Sequence, residues 1–541
     1  MKKNYTLFLF SLLVFPKMFA QIPDWEWMKT PVAADNSYAN DVTTDTSGNV
    51  ITGGEFSGGG ITIEPAFYSL ISNSLEPQMF LAKHSSNGEF DWAVTAESVY
   101  SSVSSVSSDN DGYIYVAGTF QESLTFINNN LNDVTITGNP LVATTFFAKF
   151  DPYGFLIWAH ATEADSSVIR DIKVVGDNFY MTGFYFDNNG FSFNNIAVSP
   201  AAYGDMFIAK FTLEGTAVWA KNLNAGTLAQ GYSVDADALG NVFVGGGIYE
   251  SATVNGQLYE GYGDLDGFIA KYNTDGTLQW IKTSGSQSTD VTTNVKADGS
   301  GNVYISTVAY ASPYNINNQA IELYGVQNHI FAKLDANGTY IWTKLAGGNN
   351  QDTFSSLELD SQGGIYAAGY SYSTYFYEIN QEEAFDIFDN RHFIILHLDS
   401  EGNVEWMKTN SVSGGSALYG MSVNGEDEMY VCGMYANNIN LDGFTAFAQG
   451  YHPVIAKLQL ETLDTNTYTV QNKPMLYPNP ATDYITIQAK NFDNAPFVMY
   501  DITGRKIISG TLNGTTTNVS ALPAGVYTLK VGNNSFRLIK K

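Results

Sequence analysis

A pattern of roughly sixty residues returns seven times between residues 25 and 459, and a period of that length restricts the chain to a repeat architecture. Its clearest line is an apolar run of the type Phe-Ile-Ala-Lys. The last position of that run is held by Lys83, Lys149, Lys210, Lys271, Lys333, His397 and Lys457, at intervals of 66, 61, 61, 62, 64 and 60 residues. Nine residues after six of these stands a tryptophan: Trp92, Trp158, Trp219, Trp280, Trp342 and Trp406. Between the two lies a short turn, as in Asn273-Thr274-Asp275-Gly276-Thr277. Two apolar runs at fixed separation across a Gly-containing turn predict a β-hairpin of fixed register. A second hairpin precedes each of these, built around Asp298-Gly299-Ser300-Gly301-Asn302 in the fifth copy and around 45–49, 109–112 and 237–241 in others. Its returning strand ends at Gly53, Gly118, Gly183, Gly245, Ser306, Gly369 and Gly433.

Four strands in each of seven copies predict an all-β fold: a seven-bladed β-propeller of four-stranded blades over residues 21–460. The composition agrees. Only 15% of residues are charged, while Gly (50), Tyr (34) and Phe (34) are abundant, a mixture suited to strands and tight turns. The seventh copy lacks its tryptophan, because Asn466 stands nine residues past Lys457. The missing segment lies at the other end of the chain, where Glu26-Trp27-Met28-Lys29-Thr30 repeats Glu405-Trp406-Met407-Lys408-Thr409. Trp27 and its neighbours are therefore expected to supply the outer strand of the last blade and close the ring. Closure largely removes the exposed sheet edges that an open stack would leave.

Length variation is concentrated between the second and third strands of each copy, on the face opposite the short Gly turns. Variable loops on a rigid frame are where binding is usually built. The aromatic residues of these loops, Tyr249, Tyr262, Tyr310, Tyr324, Tyr372 and Tyr375, are the candidate ligand-facing groups, suited to a glycan or a protein surface. The repeat-locked tryptophans read as framework. The position five before the lysine site varies in chemistry (Gln78, Thr144, Asp205, Asp266, Asn328, His392, His452) and is expected to be solvent-exposed. No catalytic or metal-ligating residue is assigned. The Asp-x-x-Gly-Asn turns read as turn caps before calcium loops, lacking a closing bidentate acid, so no cofactor is expected and calcium is the minor alternative. His329, His392 and His452 are too widely separated in the repeat for shared ligation. No Gly-x-Ser-x-Gly, His-Glu-x-x-His, P-loop or dinucleotide motif occurs. Catalysis on polysaccharide by an acid pair is the alternative, with Glu260, Asp264 and Asp266 in one variable loop. A third reading is a purely structural envelope protein.

The formal net charge is −28, which repels phosphate backbones and argues against nucleic acid. Residues 475–541 hold seven Lys/Arg and three Asp/Glu, a net of +4, so the remainder carries −28 − 4 = −32. This contrast marks a separate domain, joined through a polar linker, 461–474. At the other end, Lys2 and Lys3 precede an apolar run from Tyr5 to Phe15, the form of a signal peptide over 1–20 with cleavage after Ala20. Nothing later is apolar enough for a transmembrane segment. The lone cysteine, Cys432, reads as a small buried hydrophobe.

The tail carries Leu476-Tyr477-Pro478-Asn479-Pro480, then Tyr500-Asp501-Ile502-Thr503-Gly504-Arg505, then Leu522-Pro523-Ala524-Gly525-Val526-Tyr527, and closes on Lys540-Lys541. Without further comparison it reads as a small β-sandwich. In the order and place of these motifs it resembles the type A C-terminal sorting domain of the type IX (Por) secretion system of Bacteroidetes. Pro478, Asn479, Pro480, Gly504, Gly525, Tyr527, Lys540 and Lys541 carry that resemblance. It implies recognition by the type IX secretion machinery after export to the periplasm. It also implies attachment to surface lipopolysaccharide or release, and hence a secreted or outer-surface location. The repeats resemble the β-propeller repeats of secreted bacterial proteins, a likeness that implies fold and not activity. The combined expectation is a non-catalytic binding or adhesion protein displayed outside the cell.

Overall fold

The computed structural model describes residues 22–541 apart from 65–67, 128–132, 163, 165, 194, 374, 379–380, 385–390, 411–413, 426–427, 461–474, 478–480, 489–495, 502–504, 513–515 and 532–533. The expected signal peptide, the linker, and Pro478, Asn479, Pro480 and Gly504 fall outside the described residues. Every helix or strand among the described residues is a strand, and no helix is long and apolar enough to cross a membrane. The chain divides into two compact units, Met1–Thr462 and Leu463–Lys541.

In the N-terminal unit the described residues form seven four-stranded antiparallel repeats, the strand pattern of propeller blades. In repeat 5 the strands are Val291–Ala297, Val303–Ala309, Asn328–Leu334 and Tyr340–Gly348, hydrogen-bonded in chain order. Repeats 1 and 2 share one long strand, Phe90–Ser108, which is the fourth of one and the first of the other. Repeat 7 contributes Ser416–Asn424, Glu428–Leu441 and Phe444–Gln459, and its fourth strand is the N-terminal Asp24–Lys29.

The nine-residue interval has a direct structural meaning. Across the third and fourth strands Lys83 faces Trp92, Lys149 Trp158, Lys210 Trp219, Lys271 Trp280, Lys333 Trp342 and His397 Trp406. In repeat 7 the partner of Lys457 is Trp27. Trp27, Trp92, Trp219, Trp280 and Trp342 then donate to a carbonyl of the next repeat. Trp219 Nε1 donates to the Thr274 carbonyl at 3.0 Å, Trp342 to Ser400 at 3.0 Å, and Trp27 to Ser86 of repeat 1 at 2.9 Å. Lys83 Nζ and Trp92 Nε1 share one acceptor, the Pro152 carbonyl, both at 3.1 Å. The turn glycine of the next repeat lies on the indole. A Cβ at Gly276 would stand 2.8 Å from the Trp219 ring, and φ there is +75°, a region that favours glycine. The first hairpin turn is held by its own aspartate: Asp298 Oδ1 accepts from Ser300 N and Asn302 N at 2.9 Å, and Oδ2 from Asn302 Nδ2 at 2.7 Å. Asp45 and Asp237 do the same, so these carboxylates are occupied by turn N–H groups.

Repeat 7 meets repeat 1 as repeat 5 meets repeat 6. Tyr430 donates its hydroxyl to the Gly48 carbonyl at 3.4 Å, and Tyr304 to the Gly363 carbonyl at 3.1 Å. Cys432 is fully buried in this seam, its Sγ 3.6 Å from the Ala39 carbonyl.

The C-terminal unit has two sheets. One joins Met475–Tyr477, Tyr484–Gln488 and Thr516–Asn518; the other joins Pro496–Asp501, Lys506–Thr511, Gly525–Val531 and Asn534–Lys540. Ile485, Met499, Leu529 and Leu538 are buried in its core. Tyr527 is buried too, and donates its hydroxyl to the Pro523 carbonyl at 2.9 Å. Gly525 pairs with Lys540, and the Lys541 N–H donates to the Ala481 carbonyl at 2.9 Å, so the last residues are part of the sheet.

Candidate functional site

The first strand of every repeat carries a β-bulge at one equivalent position. The bulged residues are Asn40, Ser104, Arg170, Tyr232, Thr293, Ser355 and Tyr419. A bulge re-aims the side chains around it, and all seven of these residues line one cavity of about 160 Å³.

The bulge also explains the glycines of the second strands. It drives a first-strand carbonyl so close to the facing residue that a Cβ at Gly246 would stand 1.9 Å from the Gln230 oxygen, and at Gly369 1.8 Å from the Thr353 oxygen. The position under this pressure is Gly54 in repeat 1 and Gly246 in repeat 4, one residue later than Gly53 and Gly245, while repeat 5 has Thr307 there, one later than Ser306, and so accommodates a side chain. Adjacent glycines in repeats 1 and 4 left that register open in the sequence.

Below the mouth the cavity is a seam between neighbours. In repeats 1 to 5 the residue after the bulge reaches the backbone of the following repeat. Asp41 Oδ2 accepts from Val106 N and from Ser105 Oγ at 2.9 Å; Asp171 Oδ2 accepts from Val234 N at 2.9 Å and Ser233 Oγ at 3.0 Å. Ser233 Oγ in turn accepts from Val295 N at 3.2 Å. Lys296 and Glu358 pair at 2.8 Å. Burial, aided by nearby Asp171, pushes Asp41 up to about 6. These polar groups hold inner strands together and are largely consumed in doing so.

The loop face is different. The position five before the lysine site is not exposed: Gln78, Thr144, Asp205, Asp266, Asn328 and His452 are buried and His392 half-buried. The physical reason is a shared task, which is to satisfy loop backbone N–H groups. Asp205 accepts from Asn224 N at 2.6 Å and Met206 N at 2.8 Å; Asp266 accepts from Tyr262 N at 2.7 Å; Asn328 from Tyr324 N at 2.7 Å; Thr144 from Asn139 N at 2.8 Å. Different side chains suffice because each needs only one polar atom, an oxygen in Asp205, Asp266, Asn328 and Thr144 and the Nδ1 that accepts from Ala33 N in His452. Burial raises Asp205 to about 7. The starts of the first strands work alike: Asp290 accepts from Tyr310 N at 2.9 Å and Asp352 from Gly348 N at 2.6 Å, and burial pushes both to about 6.

The candidate tyrosines sit on loops fixed in this way. Tyr262, Tyr310 and Tyr324 have their N–H groups held by Asp266, Asp290 and Asn328, while Tyr249 and Tyr372 donate to the Leu228 and Gln351 carbonyls at 2.9 and 2.8 Å. Their side chains point outward, 39–42% exposed. Tyr375 lies in the strand Tyr375–Glu378, its side chain outside the described residues. Of the three loop acids, Asp266 is turned inward onto its own loop, while Glu260 and Asp264 are exposed. His329 is fully buried between Ser306 Oγ at 2.8 Å and Phe354 N at 3.1 Å, and burial lowers it to about 3. His452 is held by Ala33 N and the Gln449 carbonyl. No group of three or more His, Cys, Asp or Glu suited to a metal occurs among the described residues.

Sequence reasoning missed the two arginines at this face. Arg170 lies between Phe184 and Tyr232, its Cζ 5.6 and 5.3 Å from the ring centroids. Arg391 lies between Tyr370 and Tyr451 at 5.3 and 5.9 Å, and donates Nη2 to the Met434 sulfur at 3.4 Å. The available signal was scarcity: they are the only arginines before residue 463.

Residues 475–541 match the family of secretion-system C-terminal sorting domains. The chain thus carries the address that sends proteins through the type IX system to the cell surface or the medium, and the tail is the part the secretion machinery engages. An uncharacterized WD repeat-containing protein, L264, of Acanthamoeba polyphaga mimivirus is 22% identical over 63% of this chain. The chain spans 30% of that protein's length. Among solved structures, the WD40 domain of Neurospora crassa Pan2 aligns over 67% of this chain and 90% of its own, at 9% identity and a TM-score of 0.34. PorZ, a surface component of the type-IX secretion system of Porphyromonas gingivalis, aligns over 94% and 82%, at 12% identity and a TM-score of 0.16.

Proposed function

We propose that the chain is a closed seven-bladed propeller, residues 21–460, delivered to the outer surface to bind a ligand on its loop face without transforming it. A signal peptide, 1–20, serves the first export step and the sorting domain, 475–541, the second, in a Bacteroidetes-type envelope where lipopolysaccharide is the candidate anchor. The ring is supported by one cavity lined from all seven first strands and by the pairing of Trp27 with Lys457. The binding role rests on one observation. Five loop tyrosines are each 39–42% exposed on backbones pinned by hydrogen bonds, most of them to buried side chains. An exposed aromatic on a fixed backbone binds with little ordering cost, the arrangement preorganised recognition surfaces use. The reading needs no cofactor. The acid-pair alternative is disfavoured because Asp266 is committed to Tyr262 N.

A glycan array and a hydrolysis screen on the full chain test this. The expected result is a bound and uncleaved saccharide, lost in a Tyr262→Ala, Tyr310→Ala, Tyr372→Ala variant that melts like the parent. Turnover of the bound saccharide by the parent chain would make the protein an enzyme instead.

A further inference from the structure

We infer that the mouth of the cavity on the loop face selects a carboxylated saccharide, with Arg391 and Arg170 taking the carboxylates and the tyrosines between them taking the sugar rings. This rests on the binding role proposed above and names its ligand class.

The charge distribution is the first argument. Residues 1–474 carry a net −32 and two arginines; Arg170 lines the cavity, and Arg391 stands on the loop face against Tyr370 and Tyr451. Neither makes an ion pair among the described residues. Each is instead held by aromatic faces, Arg170 by Phe184 and Tyr232, Arg391 by Tyr370 and Tyr451. Among the described residues Arg170 makes no hydrogen bond and Arg391 donates only Nη2, to the Met434 sulfur at 3.4 Å, so N–H donors of both guanidinium groups remain for a planar anion, and carboxylate matches such a fork bidentately. Arg170 is exposed and Arg391 half-buried, and a half-buried cation such as Arg391 without a counter-ion is costly to maintain for packing alone.

Continuity is the second argument. Tyr310 lies beside both Tyr232 and Tyr370, which with Asp290 add to the effect of burial in raising its pKa. The Tyr370 ring meets Tyr372 at 6.1 Å, and Tyr451 meets Tyr38 at 6.0 Å. Tyr232, which meets Arg170, and Tyr370, which meets Arg391, are thus both within electrostatic reach of Tyr310. Ring faces are electron-rich and favour the polarised C–H groups of a sugar. Two cations at separate points of an aromatic surface suit a chain that carries its negative charges at intervals. The −32 background repels a densely charged polymer.

The test uses the full chain with polygalacturonate, its methyl ester and dextran sulfate as probes, at physiological salt. Polygalacturonate should bind, and the ester, with the same rings and no charge, at least tenfold more weakly. Arg391→Gln and Arg170→Gln should each weaken polygalacturonate tenfold or more with unchanged melting. Arg391→Lys, which keeps the charge and loses the fork, should recover only part of the affinity and guards against a folding defect in the glutamine variant. Equal binding of the ester overturns the inference and leaves the binding role standing. Binding of dextran sulfate alone, of no probe, or of polygalacturonate undiminished in the arginine variants also overturns it.

Discussion

The two ends of each repeat solve the same problem, how to finish a hairpin, in opposite ways. At the short-turn end one solution recurs: in five repeats an aspartate caps the first turn, and in repeats 1 to 6 a glycine of the second lies on a tryptophan of the preceding repeat. At the loop end the task is shared but the chemistry is not. Gln78, Thr144, Asp205, Asp266, Asn328 and His452 are all buried and hydrogen-bond backbone groups, beneath loops whose outer residues differ. A turn that must fit under the next indole tolerates little variation. A loop that needs only one buried polar atom to hold it can change everything else, which is what a recognition surface requires.

The largest effect should come from removing the turn-end grip where the chain's ends meet. Deleting residues 21–30 removes the strand Asp24–Lys29, which pairs with Phe444–Gln459, and with it the contact of Trp27 with Ser86 and Gly88. Truncating a buried Trp alone costs about 3–5 kcal/mol. The deletion should aggregate or melt far below the parent in a thermal scan, with Trp27→Ala intermediate. A deletion variant that melts like the parent would show that the seam between repeats 7 and 1 contributes nothing.

A matched pair of substitutions tests the two ends directly. Gly276→Val places a branched side chain at φ +75° and against Trp219, at a cost of about 1–3 kcal/mol. Tyr262→Ala removes a ring that is 41% exposed, and surface changes of that kind usually stay within about 0.5 kcal/mol. Equal losses in chemical denaturation would erase the distinction between the ends.

How much of this was legible follows from what each feature writes into the sequence. Hairpin register was open to reading because pairing partners recur at fixed distance, as Lys271 and Trp280 do. The N-terminal strand was legible because Glu26 to Thr30 duplicates Glu405 to Thr409. The bulges left only an indirect trace, glycines inside strands, and such glycines mark close backbone approach. The buried loop clasps were misread as exposed, since polar and variable residues usually are. Burial there follows from hydrogen bonds to loops whose path a sequence does not state. Arg170 and Arg391 meet the tyrosines across repeats, through packing that no local motif encodes.

The clasps carry a smaller, pH-dependent effect. Burial raises Asp205 to about 7, and Asp41, Asp290 and Asp352 to about 6, whereas the unfolded chain releases these protons near 3.8. Between those values the folded state binds more protons than the unfolded one, so stability falls as pH rises. Melting temperature should decline from about pH 4.5 to pH 7.5 and then level off. Asp205→Asn should flatten part of that slope. A melting temperature that rises through this window would mean that the buried neutral His84 and His329, lowered to about 4 and about 3 and therefore opposing the aspartates, dominate instead.

The smallest effect on folding should come from the largest excision. The C-terminal unit begins at Leu463, and the fourth strand of repeat 7 comes from residues 24–29, so every sheet of the N-terminal unit is complete without the tail. The tail has its own core of Ile485, Met499, Leu529 and Leu538 and carries the match to sorting domains. Removing residues 475–541 in the native host should therefore abolish surface labelling while the fractionated periplasmic protein keeps the parent's thermal transition. Loss of that transition would place part of the N-terminal unit's stability in the tail. Surface labelling that survives the truncation would deny the tail its sorting role and move the export signal into the repeats, which would then have to differ from one another for a reason other than ligand recognition.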